Sequence, residues 1–214
     1  MGVWDRLENK KGDFMIDNKI IVICGFSGSG KDTISRILED HDYNFIVSTS
    51  SRPMRENESQ NNPYKFITRS EFEALIRDGK LIEYRSYSTI NNGESDTWYY
   101  GIEKKSIKDE CKYVVVLDIQ GLKDIKSIYK DRVVSFFIDV NSNERKKRVI
   151  KDRNDFDEDE WNRRLKDDSE RFSNKIISKN VDHIVDNYNL QECLDEIFFI
   201  LEGKNRIPVS RTEF

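Results

Sequence analysis

The 214-residue chain is short of several features. Its three cysteines, Cys24, Cys111 and Cys193, lie far apart and show no metal-ligand spacing. They read as reduced, mostly buried thiols of a cytoplasmic protein. No apolar N-terminal segment suits a signal peptide, and the longest apolar runs fall well below the ~20 residues of a membrane span. Positive charge is not in surplus either: 36 Lys and Arg face 40 Asp and Glu, a net charge of -4. General nucleic-acid binding favours a basic face and is therefore disfavoured. There is no internal repeat and no low-complexity tract. What remains is a polar chain, 36% charged and 36% hydrophobic, whose apolar residues come in blocks. Its length suits one substantial α/β domain with small inserted subdomains.

The blocks are organised around Lys19–Thr33, KIIVICGFSGSGKDT. A β-branched run (Ile20, Ile21, Val22, Ile23) predicts a buried strand, and Ile34, Ile37 and Leu38 predict one face of a helix. Between them Gly25, Phe26, Ser27, Gly28, Ser29, Gly30 and Lys31 form a G-x-x-x-x-G-K turn. Strand, glycine-rich turn and helix together give a phosphate-binding loop. Glycines let successive N–H groups point inward, and the helix presents its positive end to an anion. Lys31 is expected at the β- and γ-phosphates of a nucleotide. The usual Ser or Thr after the lysine is replaced by Asp32, followed by Thr33. A carboxylate is also a hard oxygen ligand, so Asp32 is a candidate for Mg2+, directly or through water.

Further along, Tyr43–Ser48 reads as a second strand, and residues 48–58 as a polar loop carrying Arg52 and Arg55. Ser70 with Glu73 predicts a capping box for a helix ended by Gly79. Leu81–Tyr100 predicts an antiparallel hairpin. A helix is expected over 103–110, then a buried strand, Tyr113–Leu117, ending at Asp118. An acid there, beside a phosphate loop, is a second candidate for orienting magnesium. Val133–Val140 is another strand, 143–151 a basic helix, 160–177 a long helix, Val181–Val185 a last strand and Leu190–Leu201 a last helix. Arg145, Lys146 and Lys147 read as solvated helix charge. Five parallel strands with crossover helices imply a doubly wound sheet of the P-loop NTPase type, with ligands at the strands' C-terminal ends.

Several motifs in order then resemble the guanylate kinase family from about Lys19 to Leu201. They are GFSGSGK; Ser48, Arg52, Arg55 and Glu58; Tyr64 with Phe66; Leu81–Glu83; Tyr100-Gly101; D-x-Q-G from Asp118; and Arg163–Leu165. The resemblance implies a core (19–48, 104–142 and 176–202), an inserted monophosphate-binding subdomain (49–103) and a helical lid (143–175). These are flanked by an N-terminal arm (1–18) and a C-terminal tail (203–214). It implies an enzyme passing the γ-phosphoryl group of ATP, with Mg2+, to GMP or dGMP. Arg52, Arg55 and Tyr64 would hold the acceptor's phosphate, with Glu58 orienting the arginines. Glu83 and Ser48 would read guanine, whose N1–H and N2–H₂ a carboxylate accepts together. Tyr100 and Asp118 would complete that side, and Arg148, Arg153 and Arg164 would be the lid arginines.

The sequence also departs from the family pattern. Ile102 stands where a Ser or Thr is expected beside the base, Val116 replaces an acid, and the hairpin at 87–98 is longer. A kinase for another deoxy- or modified nucleoside monophosphate keeps the same chemistry. A non-catalytic binding module of the same fold would be expected to lack the intact loop. The partners implied are small-molecule nucleotides, with no nucleic acid and no membrane, acting on a monomer or homodimer.

Overall fold

In a computed structural model, residues 18–55, 58–62, 64–91, 94–152 and 156–203 are described. Most of the N-terminal arm, the hairpin tip at Asn92-Gly93, Arg153 and the tail from 204 lie outside them.

Strand β1 (Ile20–Gly25) is buried at all six positions. Alternate side chains enter opposite layers, as strand geometry requires. Ile20, Val22 and Cys24 join one apolar cluster, with Leu122, Ile125 and Phe137. Ile21 and Ile23 join the other, with Ile34, Leu38, Phe136 and Ile197. Full burial of each such aliphatic side chain stabilises by roughly 1.5–3 kcal/mol, so β1 pins the two layers together. Helix α1 (Lys31–Glu39) follows the loop. The sheet has the order β2-β7-β1-β8-β9 and is parallel throughout, with β2 (Asn44–Phe45), β7 (Tyr113–Val116), β8 (Val133–Asp139) and β9 (His183–Asp186). Gly25, Val116, Asp139 and Asp186 thus end their strands along one edge.

The expected second strand is shorter than 43–48. After Phe45, the Ile46 N–H still donates to Val114 O, and the chain then crosses to a second sheet through β3 (Thr49–Ser50). That sheet has the order β4-β3-β6-β5, with β4 (Lys65–Phe66), β5 (Leu81–Asn91) and β6 (Glu94–Glu103). The long hairpin pairs Glu83 with Ile102, Arg85 with Tyr100 and Tyr87 with Trp98. Helix α2 (Arg69–Arg77) packs beneath it, with Phe72 stacked on Tyr99 at 5.3 Å.

Helix α2 is capped two residues earlier than its Ser70–Glu73 pair suggests. The Glu71 N–H donates to Thr68 Oγ1 and the Thr68 N–H to Glu71 Oε2, closing a capping box around Thr68. The helix expected over 103–110 reduces to one 3-10 turn, Lys104–Ser106, because Glu103 still belongs to β6. Helices α3 (Ile119–Tyr129) and α4 (Ser142–Asp152) follow. The single long helix expected over 160–177 is two, α5 (Glu158–Arg171) and α6 (Asn174–Asn180). The break falls where Phe172 turns into the core and Ser173 caps the next helix through the Ile176 N–H. Helix α7 (Leu190–Leu201) closes the described fold. No helix among the described residues is long and apolar enough to cross a membrane.

Candidate active site

The loop after β1 curls because Gly28 and Gly30 hold φ of +77° and +93°, which suit glycine. Neither has room for a side chain. A Cβ at Gly28 would come within 2.9 Å of Val149 Cγ2, and one at Gly30 within 2.5 Å of Asn187 Nδ2. The Lys31 ammonium donates to Phe26 O at 2.7 Å. Burial pulls its pKa below the usual lysine value, while Asp32 and Asp168 oppose that shift. Ser29 is fully buried, and its carbonyl accepts from Asn187 Nδ2 at 2.8 Å.

Two cavities meet at this loop. One, of about 810 Å³, is lined by Gly28, Gly30, Asp32 and Thr33, by Arg148 and Arg164, and by Trp161 and Tyr188. The other, of about 750 Å³, lies between the loop and the second sheet. It brings together Gly25, Ser48, Tyr64, Glu83, Tyr100 and Asp118. Ser27 and Lys31 line both.

Arg52, Arg55 and Glu58 form a unit beside the second cavity. The Arg52 guanidinium donates to both Glu58 oxygens at 2.8 and 2.7 Å, and the Arg55 N–H donates to the same carboxylate at 2.8 Å. These bonds hold the Glu58 carboxyl down to about 2. Arg52 also lies 5.5 Å from the Tyr64 ring centre and 5.2 Å from that of Phe66. Tyr64 in turn packs edge-on against Tyr100 at 5.4 Å.

Glu83 is buried at the base of the second cavity. Burial raises its carboxyl to about 7, Arg85 opposing and Asp118 and Asp124 reinforcing the shift. Asp118 caps α3 by accepting from the Gly121 N–H at 2.8 Å, and it faces Arg85 Nη2 at 3.5 Å. Ile102 does not border this cavity as the family pattern suggests. Its side chain is fully buried in the core with Ile20, Ile82 and Ile107, while Gly101 lines the cavity and Val116 borders it.

Several side chains at the site escape sequence reasoning. Arg145, read as solvated, is 5% exposed. It donates to Val140 O and Ser27 O at 3.0 Å and lies 4.6 Å from the Phe26 ring centre, fastening α4 to the loop. Its four-residue spacing from Val149, which abuts Gly28, is the available signal. Lys146 and Lys147 stay nearer the surface. Asp168 accepts from the Ser27 N–H, and Arg171 reaches the Tyr87 hydroxyl at 3.4 Å. No local pattern distinguishes these from ordinary helix charge. Arg153 lies outside the described residues.

The guanylate kinase family model matches residues 17–204. A guanylate kinase of Clostridium tetani (strain Massachusetts / E88) is 34% identical over 137 residues, covering 62% of this chain and 62% of that protein. One from Mycoplasma genitalium (strain ATCC 33530 / DSM 19775 / NCTC 10195 / G37) is 32% identical over 190 residues, covering 86% of this chain and 75% of that protein. The matched part thus spans less than two thirds of the C. tetani protein's length. The crystal structure of guanylate kinase from Anaplasma phagocytophilum shares the fold, with a TM-score of 0.58 and 22% identity over 87% of this chain and 85% of that one. By the extent of the family match, joined to an intact phosphate loop on a parallel sheet, the chain belongs to the guanylate kinase family.

Proposed function

We propose that the chain is an ATP-dependent nucleoside-monophosphate kinase that phosphorylates GMP or dGMP to the diphosphate. The observation that carries this reading is the meeting of two cavities at Ser27 and Lys31. ATP would occupy the first, its phosphates on the loop amides and its base toward Trp161 and Tyr188. The acceptor would occupy the second, its base toward Glu83, Ser48 and Asp118. Its phosphate would sit by Arg52, Arg55, Tyr64 and Tyr100. The γ-phosphoryl group and the attacking oxygen would then lie together at Lys31.

No protein nucleophile is required. Phosphoryl transfer needs two polyanions held in line, water excluded and developing charge neutralised. Lys31 is suited to the transferring group, and Arg148 and Arg164 approach from the lid side. The proposed division is a core, an acceptor subdomain over 49–103 and a lid over 143–175.

Mg2+ bound to ATP would neutralise the β- and γ-phosphate oxygens. Among the described residues no cluster of three or more His, Cys, Asp or Glu side chains forms a metal cage. A single carboxylate with phosphate oxygens and waters suffices for magnesium. Exposed Asp32, in the first turn of α1 and lining the ATP cavity, fits that role. Asp118 fits it less well, since its carboxylate already caps α3 and faces Arg85. The reduced cysteines suit a cytoplasmic setting.

The test is ADP release across GMP, dGMP, AMP, dUMP and dTMP, with Lys31→Ala as control. GMP and dGMP should be the best acceptors, and Lys31→Ala should abolish turnover while the fold survives. A pyrimidine turned over faster would defeat the base assignment. Near-normal turnover by Lys31→Ala would defeat the kinase reading.

A further inference from the structure

Arg85 stands on β5, two residues beyond Glu83 and opposite Tyr100 on β6. Its guanidinium faces three carboxylates from two separate units. Nη2 donates to Asp124 of α3 at 3.0 Å, and Asp124 is itself held by Gln120 Nε2 at 3.0 Å. Nη2 also faces Asp118 at 3.5 Å, and Nη1 faces Glu83 at 3.6 Å. Its Nε is buried without a hydrogen-bond partner among the described residues. The side chain is therefore anchored through its Nη groups, Nη1 on the Tyr84 carbonyl at 2.5 Å and Nη2 on Asp124.

We propose that Arg85 is a specificity-determining positioning residue that brackets Glu83 and Asp118 so that both carboxylates face one purine edge carrying adjacent N–H donors. This rests on the guanine-nucleotide reading above. A buried carboxylate, Glu83, and a partly exposed one, Asp118, share one cavity and repel. A guanidinium between them removes that repulsion. The contacts to Glu83 and Asp118 are long, 3.6 and 3.5 Å, so each acid is attracted while keeping lone pairs for a ligand. The short contacts are made elsewhere, Nη1 to the Tyr84 carbonyl and Nη2 to Asp124, and neither of those residues lines the cavity. Arg85 also ties the acceptor sheet to α3, which carries Asp124 and is capped by Asp118, so the acids' spacing depends on it.

The chemistry read is the pair N1–H and N2–H₂. Hypoxanthine keeps the first and lacks the second, and adenine lacks both. The GMP-to-IMP ratio of kcat/KM therefore reports whether two acceptors stand side by side. The full chain would be assayed with saturating ATP as wild type, Arg85→Met, Arg85→Lys and Asp124→Asn. Arg85→Met is expected to raise the KM for GMP about tenfold and to cut the GMP-to-IMP ratio about tenfold. The KM for ATP should stay within about twofold. Arg85→Lys restores the charge but not the fork and should fall between. Asp124→Asn loosens the anchor without touching the base and should cut the ratio about threefold. Wild-type turnover of GMP tests the underlying reading separately. An unchanged GMP-to-IMP ratio in Arg85→Met, or an equal fall of kcat for every acceptor, overturns the proposal. If Arg85→Met does not fold, unchanged ratios in both Arg85→Lys and Asp124→Asn overturn it.

Discussion

The Ser27 N–H, inside the phosphate loop, donates to the Asp168 carboxylate of α5 at 2.7 Å. The same carboxylate lies 3.7 Å from Arg145, which is bound to the Ser27 carbonyl. A negatively charged oxygen thus rests on a loop amide of the kind that binds phosphate in such loops.

On the proposed reading, ATP would have to displace or accommodate a buried charge of its own sign. Asp168→Asn keeps the shape and an acceptor oxygen while removing the charge. The expected result is tighter ATP binding, by roughly tenfold. That is the low end of the 1.5–3 kcal/mol carried by a charge-assisted hydrogen bond. Calorimetric titration measures it directly. Weaker ATP binding in Asp168→Asn would show instead that the carboxylate supports the loop.

The paired arginines of the acceptor side should separate by mutation. Arg52 is 5% exposed and fully engaged with Glu58, whereas Arg55 is exposed and ties to Glu58 only through its backbone. Arg55→Ala is expected to raise the KM for GMP about ten- to a hundredfold, the worth of one lost charge-assisted contact of roughly 1.5–3 kcal/mol, and to leave the melting temperature unchanged. Arg52→Ala should raise KM similarly and also lower the melting temperature, because it strands Glu58. Thermal melting alongside steady-state kinetics separates the two. Equal melting temperatures would remove the structural part of the Arg52 assignment.

Asp32 is the position at which magnesium dependence should respond. Asp32→Ser supplies the hydroxyl usual after the loop lysine and should keep activity. Asp32→Lys should abolish it by setting a cation where the metal is expected. Titrating free Mg2+ in the activity assay tests both. Full activity of Asp32→Lys at ordinary magnesium would take Asp32 out of the site.

Much of this arrangement is written locally in the chain, and the rest is not. The strand–loop–helix of 20–39 is legible because each part carries its own signal, from β-branched run to glycines to helical face. Helix Leu190–Leu201 matches its periodicity to the residue. The capping of α2 is ambiguous by nature, since Thr68–Glu71 and Ser70–Glu73 are equal candidates two residues apart. The contacts of Ser27 with Asp168 and Arg145 join residues 141 and 118 positions apart, and neither helix marks those charges as special. Ile102 shows the same limit. The pairing of Glu83 with Ile102 puts both side chains on one face, and it is long-range packing of Ile102 with Ile20, Ile82 and Ile107 that keeps it in the core and out of the cavity.

Glu83 should make acceptor recognition depend on pH. Burial is the largest cause of its rise to about 7; Arg85 lowers it, and Asp118 and Asp124 raise it. A protonated carboxyl turns one acceptor oxygen into a donor and meets the N–H groups of guanine badly, so GMP needs the ionised form. Ionisation grows as pH rises through 7. The KM for GMP should therefore fall between pH 6 and 8, by roughly tenfold if only the ionised form binds, since each pH unit below the pKa cuts that form about tenfold. AMP has no N1–H or C2 amine and gains nothing from the ionised carboxylate. Its weak KM should stay flat over the same range. Glu83→Gln cannot ionise and should flatten the GMP profile while lowering GMP preference. Measuring kcat/KM for GMP and AMP at half-unit steps in wild type and Glu83→Gln decides it. A GMP profile that keeps its rise in Glu83→Gln would assign the titration to another group and remove Glu83 from base recognition.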